Sequence, residues 1–186
     1  MYISLEERIY GLSLIWKEAT YNFAYWDERP ELDWDKAYNE YLPKVMAAEN
    51  PYEYYRLLQR FISLLRDGHT FVVMPEGLVN YSGYLPIVTS FIEGKHVLFQ
   101  VPAVCKQHLY AEVISVNGKL LEEYLAEYIL PYFWHENTAA LFAHSLLSAE
   151  ILRLEQSEIT IGITLESFHF IRAIISKHAA GIGCTA

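Results

Sequence analysis

The apolar residues change period between residues 65 and 70, and this switch limits the fold more than any figure of composition. Upstream, Leu5, Ile9, Leu12, Trp16, Ala19, Phe23 and Trp26 recur in alternating steps of four and three. That spacing lays one buried stripe along one helix. Ser4 and Glu7 have the spacing of a capping box, and Asp27-Glu28-Arg29-Pro30 predicts the helix end. A second helix is expected over about residues 33–48, bent or split by Pro43. Asn50 as cap, Pro51 at the first helical position and Glu53 reaching back predict a third. Tyr54, Leu58, Phe61 and Leu65 line its face, and Gly68 is expected to supply a left-handed stop. Residues 1–68 therefore read as a three-helix bundle.

Downstream, residues 70–74 are β-branched and aromatic, and read as a strand. Residues 86–92 and 95–101 flank Glu93-Gly94, a hairpin signal. Residues 111–116 give another strand before the tight turn Asn117-Gly118. Residues 120–132 and 139–154 read as helices, and 158–165 and 169–175 as paired strands. The segment 176–186 has no periodicity and fits no element. The expected class is α+β: the bundle of 1–68, then a mixed α+β region over 69–186.

Composition removes several functions. A chain of 186 residues, 53% hydrophobic, can bury a core and is not disordered. Its net charge of −9 and lack of a basic stripe argue against nucleic acid. No apolar run is long enough for a membrane span. The N-terminus has no basic segment followed by an apolar one, so no secretory signal is visible and a cytoplasmic location is expected. Cys105 and Cys184 have no framework spacing and are read as reduced thiols.

The chemistry concentrates in Asp67-Gly68-His69-Thr70, at the junction of the two regions. Its plain reading is a helix stop followed by a solvent-facing histidine. Its catalytic reading needs an imidazole that exchanges a proton near neutral pH, a nucleophile within reach, and a group that fixes the ring. Other candidates are weaker. Cys105-x-x-His108 is a two-ligand fragment with no second pair, so zinc is not expected. His135-Glu136 and His144 do not form a metallopeptidase motif and read as surface or cap residues. No metal and no cofactor are expected.

Leu64-Leu65-Arg66-Asp67-Gly68-His69-Thr70, placed after a helical bundle, resembles the hallmark segment of the tail-specific protease family, which includes the tricorn core. The helix over 10–26 resembles that family's opening helix. Val113-Ile-Ser-Val-Asn-Gly-Lys119, leading to Ile129-Leu-Pro-Tyr132, resembles the strand, turn and helix that follow. The resemblance covers about residues 5–140.

It implies a serine peptidase in which His69 is the general base, with Asp67 and Thr70 holding its loop. Gly68 stands where some members have serine, and other members use a lysine base. It also implies that residues 69–186 contain a PDZ-like region around Asn117-Gly118, able to pair with a peptide strand. The nucleophilic serine is expected outside this chain, in a glycine-flanked motif downstream. Ser148-Ala149-Glu150 lacks the preceding glycine and sits in a helical pattern. The expected partner is a peptide or protein substrate. The alternative function is a peptide-binding or assembly module without the catalytic domain, distinguished by whether a serine domain follows. Oligomeric state is not legible in the sequence.

Overall fold

A computed structural model describes residues 2–79, 87–132, 158–164, 168–174 and 182–185. Backbone contacts divide the chain into two compact units. The first covers Met1–Leu78 and takes in Tyr132; the second covers Val79–Pro131 and the strands described after it. The class is α+β.

The first unit is built on three helices. Helix α1 (Leu5–Asn22) opens with the expected capping box: the Ser4 hydroxyl accepts the Glu7 N–H at 3.2 Å, and the Glu7 carboxylate accepts the Ser4 N–H at 2.8 Å. It ends at Asn22, several residues before Pro30. Phe23 turns to extended backbone and sets its ring edge-on to Trp26 at 5.1 Å, and Trp26 starts a separate 3-10 turn. Aromatic packing thus replaces the last helical turn that the stripe implied.

Helix α2 (Trp34–Ala47) is capped by Asp33, whose carboxylate accepts the Lys36 N–H at 2.9 Å, and it runs unbroken through Pro43. Helix α3 (Pro51–Ile62) is capped by Asn50, whose side chain accepts the Glu53 N–H at 2.9 Å.

The three helices close around Leu12, Val45 and Phe61, all fully buried. The rings of Trp34 and Phe61 stack at 4.2 Å, and Tyr41 leans on Phe61 at 5.2 Å. Gly11 lets α1 meet α3 closely: a Cβ there would lie 2.1 Å from the Tyr54 hydroxyl oxygen. Burial pushes the Tyr54 phenol up to about 12.

Two expectations fail at the end of α3. The left-handed stop is Arg66 (φ 52, ψ 43), and Gly68 does not have positive φ. The chain tightens into a 3-10 turn over Ser63–Leu65, so Arg66 donates its N–H to the Ser63 carbonyl at 3.0 Å and the reversal comes two residues early. Residues 70–75 then form no strand. Gln59 on α3 donates to the Val72 carbonyl at 3.2 Å, and Val72 packs on the helical core. This segment is laid along the bundle, and its β-rich composition serves packing there. A short helix α4 (Glu76–Val79) follows.

The second unit is an antiparallel sheet with a helical insertion. Strands β1 (Val88–Ile92) and β2 (Lys95–Gln100) form the expected hairpin. Glu93 and Gly94 both have positive φ, as a two-residue turn of the right twist requires. Strand β3 (Glu112–Val116) turns at Asn117-Gly118 into β4 (Lys119–Leu120). Helix α5 (Leu121–Tyr124) continues as a π-helical turn (Leu125–Ile129) and a 3-10 turn ending at Tyr132, so the expected helix exists with a changing pitch. Strands β5 (Glu158–Thr164) and β6 (Phe168–Ile174) pair as expected, and with a last strand β7 (Ile182–Thr185) the sheet order is β1-β2-β3-β5-β6-β7, with β4 on β3.

The segment with no legible element carries strand β7 (Ile182–Thr185), which pairs with β6. Its four residues are too short and glycine-broken to show alternation. The reduced-thiol reading also fails: Cys105 is disulfide-bonded. It sits in the 3-10 turn Ala103–His108, and that turn packs against β7. The helix expected over 139–154, with His144 and Ser148, lies outside the described residues, as do His135 and Glu136. Among the described residues no helix is long and apolar enough to cross a membrane.

Candidate active site

The loop that carries His69 begins where α3 runs out. Winding to 3-10 geometry and then to the left-handed Arg66 turns the chain sharply, and this brings Asp67 back into the protein. Asp67 is only 6% exposed. A carboxylate so buried must find donors, and it finds them two and three residues on. One oxygen accepts the His69 backbone N–H at 3.2 Å; the other accepts the Thr70 hydroxyl. This is the local turn chemistry that aspartate favours. The His69 side chain is exposed.

Both flanks of the loop are clamped. Arg29 donates to the Leu64 carbonyl at 3.0 Å and pairs with Glu31 at 2.9 Å. Gln59 holds the far side through Val72. The result is an exposed imidazole on a backbone fixed at both ends, an arrangement suited to proton transfer at a set position. His69, Asp67 and Thr70, the three residues expected at the site, do lie together. Arg29 and Gln59 were missed, because a guanidinium or amide that reaches a distant carbonyl has no spacing signature, and Arg66 was missed as the left-handed stop because the 3-10 turn moves the helix end.

A cavity of about 350 Å³ lies alongside the loop within the first unit. Thr70, Phe71 and Val72 form one side of it, with Ile62 from α3. Leu14, Ile15 and Phe23 from α1 and its end form the other. Glu18 and Asn22 are its polar members, and the Asn22 amide donates to the Glu18 carboxylate at 2.8 Å.

No group of three or more His, Cys, Asp or Glu placed to hold a metal occurs among the described residues. Cys105 is bonded, and buried His108 contacts the Gln107 amide at 3.2 Å. In the second unit, His96 on β2 is buried against the Phe91 ring at 4.9 Å, and burial holds its pKa below the usual histidine value. Asn117, in the left-handed region at φ 51, accepts the Thr160 N–H at 2.8 Å through its side chain, which ties the turn to β5.

No family model and no curated protein matches the chain. Solved structures that share its fold include two of CPAF. A structure of mature CPAF complexed with lactacystin matches with a TM-score of 0.70, and one of mature CPAF with 0.71. Both are 19% identical and cover 96% of this chain. CPAF is a chlamydial serine protease of the tail-specific protease family. This chain spans 36% of the length of those structures, about a third.

Proposed function

We propose that this chain belongs to a serine-type peptidase, supplies its general base through His69, and takes the nucleophilic serine from residues outside the described set. The observation that carries the reading is the Asp67-clamped loop, which presents an exposed imidazole in a fold shared with CPAF. The sequence resemblance of 64–70 to the tail-specific family supports it independently.

In this reading the His69 imidazole takes the proton of the serine hydroxyl as its oxygen attacks the substrate carbonyl. The imidazolium then returns that proton to the leaving amine. Asp67 and Thr70 act on the His69 main chain: they hold the loop at a fixed place so that the ring need not be reordered in each turnover. In the second unit, β1 lies at one edge of the sheet, where a PDZ-like region would accept a peptide strand by main-chain pairing.

Labelling of the intact natural protein with a serine-directed fluorophosphonate tests the mechanism. Labelling is expected, and it should fall sharply in His69→Ala. Peptide binding with no labelling in the wild type would move the assignment to the binding or assembly module.

A further inference from the structure

We propose that the cavity beside the His69 loop is the pocket that selects substrate, taking one bulky apolar side chain that has a lysine or arginine next to it in the peptide. This rests on the peptidase reading of the loop and adds what that reading lacks, a substrate class. Ile15, Ile62, Phe71 and Val72 offer aliphatic and aromatic surface, which rewards an apolar guest and penalises a charged one.

Size narrows the guest further. About 350 Å³ is at the small end of the roughly 300–1,000 Å³ typical of ligand sites. A cavity of about 150 Å³ already holds a benzene ring, so this one admits a whole leucine or phenylalanine side chain with room to spare. Position then ties the pocket to the chemistry. Thr70 is both a wall of the cavity and a partner of Asp67, and His69 is its chain neighbour. A side chain seated there would hold its peptide beside the loop that carries His69.

The polar rim supplies the second half of the specificity. Glu18 is exposed, its carboxylate is bonded by Asn22, and it pairs with no lysine or arginine among the described residues. An exposed pair contributes little affinity but favours the partner of opposite charge.

Fluorescent peptides on one scaffold, carrying Leu, Phe, Ala or Asp at a single position and Arg or Glu beside it, test this by anisotropy with the intact protein. Leu and Phe peptides should bind roughly tenfold or more tighter than the Ala peptide, and Asp weakest. Leu14→Glu and Phe71→Ser, at positions 42% and 49% exposed, should erase that preference, while Leu14→Met restores it. Glu18→Gln should reduce only the preference for Arg. Equal binding across the set, or a preference that survives both pocket variants, overturns the proposal. So does self-association lost in Leu14→Glu with no change in peptide binding, which would make a second copy the occupant.

His69→Ala separates the two readings. Pocket preference retained while that variant keeps full hydrolysis would discard the catalytic reading and leave the pocket. Preference absent while hydrolysis still requires His69 would discard the pocket alone.

Discussion

The Asp67 carboxylate accepts the backbone N–H of His69 at 3.2 Å, so the histidine is held through its main chain by a buried anion two residues away. The second oxygen takes the Thr70 hydroxyl, and one side chain fixes both residues that follow the turn. Asp67→Ala would leave the His69 N–H and Thr70 hydroxyl without this acceptor, at a cost of about 1–3 kcal/mol. Asp67→Asn keeps an acceptor for the His69 N–H and should cost less. Urea unfolding ranks the two, and equal stability of Asp67→Ala and wild type would remove the clamp from the account.

Gly11 and Tyr54 make a second prediction whose sign depends on the background. A glycine inside a helix ordinarily costs about 1 kcal/mol relative to alanine. Here an added methyl would meet the Tyr54 hydroxyl oxygen at 2.1 Å, so Gly11→Ala should destabilise by about 1–3 kcal/mol. In a Tyr54→Phe background that oxygen is gone, and the same substitution should cost much less or stabilise. Thermal melts of the four variants form the cycle; the same loss in both backgrounds would mean the contact is not the cause.

His96 gives the second unit a pH dependence. Burial lowers its pKa in the folded protein, whereas the unfolded chain titrates near its ordinary value of about 6.5. As pH falls through about 6.5, the unfolded state takes a proton that the folded state refuses, and stability drops. The loss is complete once pH passes the lower folded pKa; above about 6.5, His96 contributes no slope. His96→Gln should flatten this part of the profile, followed by denaturant midpoints across the acid range. An unchanged slope in that variant would assign the effect to other groups.

Asn117 has two roles that substitutions can separate. Gly118 follows it with φ 78, so the turn needs two left-handed residues. Asn117→Gly keeps the backbone, including the Asn117 N–H donated to the Thr160 carbonyl at 2.7 Å, and loses the side-chain bond to the Thr160 N–H, at about 0.5–1.5 kcal/mol. Asn117→Ala adds the left-handed penalty of roughly 1–2 kcal/mol. Alanine should be the worse of the two in equilibrium unfolding; the reverse order would contradict the turn assignment.

Much of this was legible in the sequence, because it rests on local chemistry. The Ser4–Glu7 box, the Asn50 cap and the Glu93-Gly94 and Asn117-Gly118 turns involve residues within three or four of each other, and all formed as read. What failed depended on partners far along the chain. Residues 70–75 have strand composition, but Gln59 and the helical core claim them. Arg66 took the reversal from Gly68 because a 3-10 turn shifted the helix end, and β7 exists because β6 offers it an edge. At the site, Asp67, His69 and Thr70 stood out as neighbours in sequence. Arg29, Gln59 and the cavity walls did not, since distant segments bring them in.

In the proposed mechanism His69 moves the proton in peptide hydrolysis. Steady-state kinetics of His69→Ala against wild type, in the intact natural protein with a peptide substrate, test it most directly. If His69 is the base, kcat should fall at least about a thousandfold, with KM little changed and the thermal melt preserved. Full turnover in His69→Ala, with the fold intact, would contradict it.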